Sequence, residues 1–204
     1  MVETSAAVDV TSAAGRRPAN AWRPMAFWGT AVVLLVLDLW SKQWAFARLG
    51  VDPAQYATIE EFYGSAPRVK EYLVGDWLRL VTMLNPGMMW GAFQDYPEIL
   101  RVIRPLAVLV IFFLLRGLPA HQRFSRVALG GILGGAIGNI WDSFRYLGVR
   151  DFVEVHFDGV PLCQPFPAFN VADSAICVGV AVLALGMIRA PATPAGEAAA
   201  PPSA

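Results

Sequence analysis

Four stretches of this chain, residues 25–47, 99–118, 127–145 and 171–188, are each long and apolar enough to constrain everything around them. Crossing about 30 Å of hydrocarbon takes about 20 mostly apolar residues in a helix. Charge inside the first stretch is confined to Asp38 and Lys42, near its far end, and in the second Arg101 and Arg104 fall in the first turns. The fourth carries only Asp173, close to its start. The third has no charge over 127–141 but five glycines, with Gly130, Gly134 and Gly138 at four-residue steps. Such a small-residue ladder predicts a helix packed closely against another helix. With 56% hydrophobic and 16% charged residues, against about 25% charged in an average soluble domain, the expected fold is a mainly α, polytopic membrane protein with four transmembrane helices.

The remaining composition narrows the function. Sixteen basic residues balance sixteen acidic ones, so no net field favours nucleic acid. Two cysteines and two histidines leave no disulfide framework and little material for a metal site. Arg16, Arg17 and Arg23 precede the first stretch, Arg116, Arg123 and Arg126 lie around the second connection, and Arg189 follows the fourth stretch. By the positive-inside rule both termini face the cytoplasm, which puts the connections 48–98 and 146–170 outside. Ala45-Phe46-Ala47 resembles a signal-peptide cleavage site, but Asp38 and Lys42 interrupt the approach to it, so an uncleaved first span is expected. Residues 1–24 and 190–204, rich in Ala, Pro, Ser and Thr, read as disordered cytoplasmic tails around one domain, 25–189. In the outer connections, 76–84 and 151–157 read as short strands able to pair, and 53–63 as a short interfacial helix.

On this topology the polar residues gather at one depth. Asp38 and Lys42 sit toward the outer end of span one, and Asn85 in Asn85-Pro86-Gly87 precedes span two. Asn139 and Asp142 close span three, Asp151 lies just beyond, and Asn170 and Asp173 open span four. Each has an ordinary structural reading: Asp38 and Lys42, four apart, neutralise each other on one helix face, and Asn170 is placed to cap a helix. Together they suit a different task. Two neighbouring carboxylates cannot both ionise cheaply, so one keeps a proton near neutral pH. The ionised one can take a proton from a water attacking an amide, and the other can polarise the carbonyl and serve the leaving amine. Residue types and spacing leave Asp142 and Asp151 both open as the partner of Asp173. A Ser174–His156 nucleophile pair lacks any suggestion of triad geometry.

The motifs Asp38-x-x-x-Lys42, Asn85-x-Gly87-x-x-Trp90-Gly91, Gly134-Gly135-Ala136-x-Gly138-Asn139-x-x-Asp142, Asp151-Phe152 and Phe166-Pro167-Ala168-Phe169-Asn170-x-Ala172-Asp173-Ser174-Ala175 together resemble bacterial lipoprotein signal peptidase (signal peptidase II). The resemblance runs in order from about residue 26 to 189. It implies a four-span aspartyl endopeptidase with a small extracytoplasmic β-rich cradle, in the bacterial plasma (inner) membrane, with its active site near the outer face. Its partners would be diacylglyceryl-modified prolipoproteins, cut just before the lipidated cysteine, and membrane lipids, with no nucleic acid, obligate protein partner, cofactor or metal. By motif, Asp151 and Asp173 become the catalytic pair. Asn85, Gly87, Asn139, Asp142, Asn170, Asp38 and Lys42 become the substrate-binding and supporting residues. The chain departs from the pattern at Ser143, where the family usually has arginine, at Gly148, one place later than usual, and at Arg150, where an apolar residue is usual. The expectation is that Arg145 or Arg150 supplies the charge missing at 143. The alternatives are a noncatalytic relative, or a small proton-linked transporter or channel using the same carboxylates; the latter requires polar residues through the full membrane depth, which spans two and four lack in their inner halves.

Overall fold

A computed structural model describes residues 23–67, 70–87, 93, 96–118, 122–156 and 166–188. Four long helices occupy the four apolar stretches: α1 (Arg23–Arg48), α3 (Pro97–Gly117), α4 (Arg123–Arg145) and α5 (Val171–Ile188). A shorter α2 (Ile59–Ser65) follows a single 3₁₀ turn at Pro53–Gln55. The Thr58 side chain accepts from the Glu61 backbone N–H and starts α2. Both expected tails lie outside the described residues except for 23 and 24, which begin α1; Trp90, Gly91 and Cys163 also lie outside them.

Helix α4 is the centre of the bundle and packs against α1, α3 and α5. Its glycines make that possible. A Cβ at Gly130 or Gly134 would run into the backbone carbonyls of Phe27 or Ala31 on α1, and one at Gly135 would lie 2.7 Å from the Ala172 carbonyl oxygen on α5. Backbones this close leave no room for a side chain. Phe27, Ala31, Ile111, Leu129 and Leu133 form a buried cluster at one end of the bundle.

At the other end three strands, β1 (Glu71–Val74), β2 (Leu78–Asn85) and β3 (Val149–Val155), form an antiparallel sheet in the order β1-β2-β3. β2 and β3 answer to the two strands expected from the sequence; β1, only four residues long, was not expected. Leu80 pairs with Val153 and Met83 with Asp151, so β2 carries one extra residue between the two pairs. Such a bulge turns a strand locally and re-aims its side chains. The sheet rests on a second cluster, Ala45, Phe46, Leu49, Val51, Phe62, Leu80, Leu84 and Phe152, so the end of α1 is part of the sheet's core.

The distribution of polarity is inverted relative to a water-soluble bundle. Val32, Val33, Val36 and Trp40 on α1, and Val102, Leu106, Leu109 and Phe113 on α3, are exposed, whereas Asp38, Lys42 and Asp142 are completely buried. By length and composition one described helix, over Met25–Arg48, suffices to cross a membrane; Val171–Gly186 is a shorter apolar helix. The result is a mainly helical protein with a small antiparallel sheet set on one end.

Candidate active site

A cavity of about 300 Å³ opens where α3, α4 and α5 meet the sheet. Leu100, Ile103, Ala107, Ala136 and Ile176 make its walls apolar, and Asn85, Arg104, Asn139, Asp151 and Asp173 are its polar groups. A mostly apolar hollow with a few convergent polar groups is the usual form of a small-ligand or substrate site.

Both carboxylates are aimed by backbone structure. Asp151 is held in β3 opposite Met83. The Phe152 and Val153 N–H groups both donate to the Phe169 carbonyl, at 3.2 and 2.9 Å, and Phe169 N–H donates back to Val153 at 2.9 Å. That bridge brings Asn170 alongside Asp151. Asn170 then caps α5 reciprocally: the Asp173 N–H donates to Asn170 Oδ1 at 2.9 Å, and the Asn170 N–H donates to Asp173 Oδ2 at 3.2 Å. This is a capping box with aspartate in the third helical position, and it delivers Asp173 to the cavity in the first turn of its helix.

Three asparagines hold the pair. Each uses its carbonyl oxygen on a fixed donor, which turns its NH₂ toward a carboxylate. Asn85 Oδ1 accepts from the Gly87 N–H at 2.9 Å, and its Nδ2 donates to Asp151 Oδ2 at 3.1 Å. Asn170 Nδ2 donates to the other Asp151 oxygen at 2.7 Å. Asn139 Oδ1 accepts from Lys42 Nζ at 2.8 Å, and its Nδ2 donates to Asp173 Oδ1 at 2.9 Å. Because an ammonium can only donate, Lys42 decides which way the Asn139 amide faces. Burial, and then the charge of Asp173, push the Asp151 carboxyl up to about 8, against the smaller opposing effects of Asn85, Lys42 and Asn170.

Beneath the cavity runs a chain of alternating charges. Lys42 Nζ lies 2.7 Å from Asp38 Oδ2 and 3.3 Å from Asp142 Oδ2, and Arg150 Nη2 lies 2.9 Å from Asp142 Oδ1. Asp38 Oδ1 also accepts from the Ala172 N–H at 2.9 Å, tying α1 to the start of α5. Gly138 is required here, since a Cβ would overlap the Asp38 carboxylate. Of the residues singled out from sequence, Asn85, Gly87, Asn139, Asp151 and Asp173 line the cavity. Asp38, Lys42, Asp142 and Asn170 are fully buried behind it.

The expectation about the missing arginine needs correction. Successive residues of a strand point to opposite faces, so Arg150 turns away from the cavity that Asp151 enters. Its guanidinium pairs with Asp142 and stacks 4.5 Å from the Tyr146 ring centre. Arg145 also stacks on Tyr146, at 5.2 Å. The arginine that lines the cavity is Arg104, one of the two arginines in the first turns of α3. An arginine followed by ten apolar or aromatic positions, Pro105 to Leu114, was the available signal, because ionisable residues within such helices are costly and rarely idle.

Residues 30–189 match the family model described as signal peptidase (SPase) II. A lipoprotein signal peptidase of Halalkalibacterium halodurans is 34% identical over 165 residues, covering 81% of this chain and 93% of that protein. One from Anaeromyxobacter sp. is 33% identical over 186 residues, covering 83% of this chain and 87% of its own. One from Geobacter metallireducens reaches 48% over 132 residues, covering 63% and 76%. A solved structure titled as a bacterial membrane enzyme, determined by the in meso method at 2.3 Å, superposes with a TM-score of 0.63 at 20% identity, covering 79% of this chain and 87% of that one.

Proposed function

The chain belongs to the signal peptidase II family, and from that membership and the cavity's geometry we propose that it is an aspartic endopeptidase that cuts diacylglyceryl-modified prolipoproteins just before the lipidated cysteine. The observation that carries this reading is the placement of Asp151 and Asp173 in one apolar cavity, each oriented by asparagine amides that add no charge. In this reading the pair shares one proton, carried by Asp151, whose burial favours the neutral form.

The reaction follows from that distribution. Asp173 takes a proton from water as the water oxygen bonds to the scissile carbonyl carbon, while Asp151 gives its proton to the carbonyl oxygen. The resulting tetrahedral diol collapses as the amide nitrogen takes the proton held by Asp173 and the C–N bond breaks. Asp151 recovers its proton from one diol hydroxyl, whose oxygen becomes the carbonyl of the new carboxylic acid as the amine departs. The asparagines keep both carboxyl groups in place throughout, which is where orientation contributes most to rate.

The membrane arrangement belongs to the same reading. α1, α3, α4 and α5 are four spans of a bacterial plasma membrane, with both termini cytoplasmic and the sheet and cavity at the outer face. Support comes from the exposed apolar faces of α1 and α3, the buried charges inside, and the arginines at the sequence ends of the spans. The test is incubation of the purified, detergent-solubilised protein with a diacylglyceryl-modified prolipoprotein, read by mass. The expected product ends at the residue before the modified cysteine; an uncut substrate, or a cut elsewhere, defeats the proposal.

A further inference from the structure

Arg104 is a half-buried cation in the apolar run of α3, and it is held at both ends. Nη1 donates to Ser143 Oγ, and Nη2 donates to the Gly87 carbonyl at 2.7 Å. Ser143, itself buried, passes its own hydroxyl hydrogen to the Asn139 carbonyl at 2.6 Å. Two of the five guanidinium N–H donors are thereby spent on protein. Among the described residues no carboxylate forms a direct ion pair with Arg104, yet Arg104, Asp151 and Asp173 all line the one cavity.

Formal charge shows what such a placement does. Asp38, Lys42, Asp142 and Arg150 alternate in sign and cancel. Among the described residues that line the cavity, what remains charged is Arg104 and the two carboxylates. That remainder is neutral only when the carboxylates hold one proton between them. Two ionised carboxylates leave one negative charge in excess, and two protonated ones leave the guanidinium uncompensated in a setting where unpaired charge is expensive.

We propose that Arg104 is the positioning cation that keeps the Asp151–Asp173 pair in its singly protonated form, delivered from α3 to the small Ser143, the position at which the family pattern has arginine. Ser143 and Arg104 are then one unit: a larger side chain at 143 displaces the guanidinium, and loss of the guanidinium at 104 leaves Ser143 only its bond to the Asn139 carbonyl. The inference rests on the aspartic reading of the site. The other titratable or charged groups around the pair are Lys42 of α1, Asp142 of α4, Tyr63 of α2, Cys177 of α5 and Arg150 on the far side of β3, and none of them changes in the experiment.

The experiment measures kcat/KM against pH for lipid-modified prolipoprotein cleavage by the wild type, Arg104→Gln, Arg104→Lys, Ser143→Arg and the double variant Arg104→Leu/Ser143→Arg, each checked for monodispersity and melting temperature. An opposite charge within about 4–6 Å lowers a carboxyl by about 1–3 pH units, and one farther off by less. Arg104→Gln is therefore expected to move both limbs of the profile upward by about one pH unit. Arg104→Lys keeps the limbs in place. Ser143→Arg alone loses activity by crowding, and the double variant, with its arginine returned to α4, brings the limbs back and recovers most of the rate. A folded Arg104→Gln protein with unmoved limbs overturns the proposal, whatever its rate. If that variant does not fold, a folded double variant with displaced limbs does so instead. Failure of the wild type to cleave at all counts against the aspartic reading, which separates the two ideas.

Discussion

Asparagine carries much of the work around the two carboxylates, and the reason is chemical. Each amide offers an acceptor and two donors without charge, so Asn85, Asn139 and Asn170 can each be anchored on one side and present hydrogens on the other. Replacing either carboxyl with an amide keeps shape but removes proton transfer. Asp151→Asn and Asp173→Asn are each expected to lower cleavage by at least about a hundredfold, since general acid–base catalysis contributes about 10²–10⁴. Groups that act as a unit are not additive, so the double variant should be little worse than either single. More than about a tenth of wild-type activity in either single variant excludes the pair. The Asp151 carboxyl, raised to about 8, also sets a pH limit. Cleavage should fall through an alkaline limb near that value as the shared proton is lost. The same shift acts on stability: from the ordinary 3.8 up to about 8 the folded chain holds a proton that the unfolded chain has lost. Its contribution is complete at low pH and disappears as pH rises through that window. Melting temperatures of wild type and Asp151→Asn at pH 5 and 8 should therefore show the smaller decline in the variant.

The elements meet at distances that only glycine allows, and two of these approaches reach the site. Gly148, just before β3, has no room for a Cβ, which would lie 2.8 Å from both the carbonyl carbon and oxygen of Asn85. Gly148→Ala must push Asn85 and its turn away from Asp151. We expect kcat to fall more than tenfold with the helical bundle retained, as read by circular dichroism and steady-state kinetics; an unchanged kcat would show that Asn85 needs no such close seat. Gly135→Ala presses on the Ala172 backbone instead, in the first turn of α5, and overpacking of this kind costs about 1–3 kcal/mol. Gly29 is the control, because a Cβ there meets nothing within 4 Å. Gly29→Ala should leave cleavage unchanged and raise melting slightly, since alanine is favoured over glycine inside a helix by about 0.5–1 kcal/mol.

Across the whole molecule, the buried charges link elements far apart in sequence. Lys42 joins Asp38, Asn139 and Asp142, so α1 and α4 share one polar seam beneath the cavity. Removing one partner of a buried pair leaves an uncompensated charge and costs about 3–5 kcal/mol, whereas replacing the partners together costs far less. Lys42→Met should consequently fail to accumulate in the membrane or melt much lower, and Asp38→Asn/Lys42→Met should recover part of the loss. Equal damage in both would mean that Lys42 acts through something other than charge balance. The proposed setting of the cavity also makes substrate lipid part of recognition. Two acyl chains hold a peptide at a fixed depth, with about 0.8 kcal/mol of membrane affinity from each buried CH₂. Matched prolipoproteins with and without the diacylglyceryl group should differ in cleavage by orders of magnitude; equal rates would remove lipid positioning from the mechanism.

What can be read along the chain is what depends on neighbours in the chain. Apolar period and length mark the four helices, the Asn170-x-x-Asp173 spacing marks the helix start, and the glycine steps of 127–141 mark a close-packed face. Strand β1 escapes such reading because four residues carry too little pattern, and it takes its place only by pairing with β2. Tertiary structure alone decides direction and partnership. Arg150 and Asp151 are adjacent in sequence yet serve different sides of β3, because a strand alternates its side chains. Asp38 meets the Ala172 N–H across 134 residues, and Arg104 meets Ser143 across 39. The sequence by itself determines which residues are polar and at what helical level they stand. Which of them becomes the cavity's cation depends on how α3 rotates against α4, and packing of the whole bundle sets that rotation.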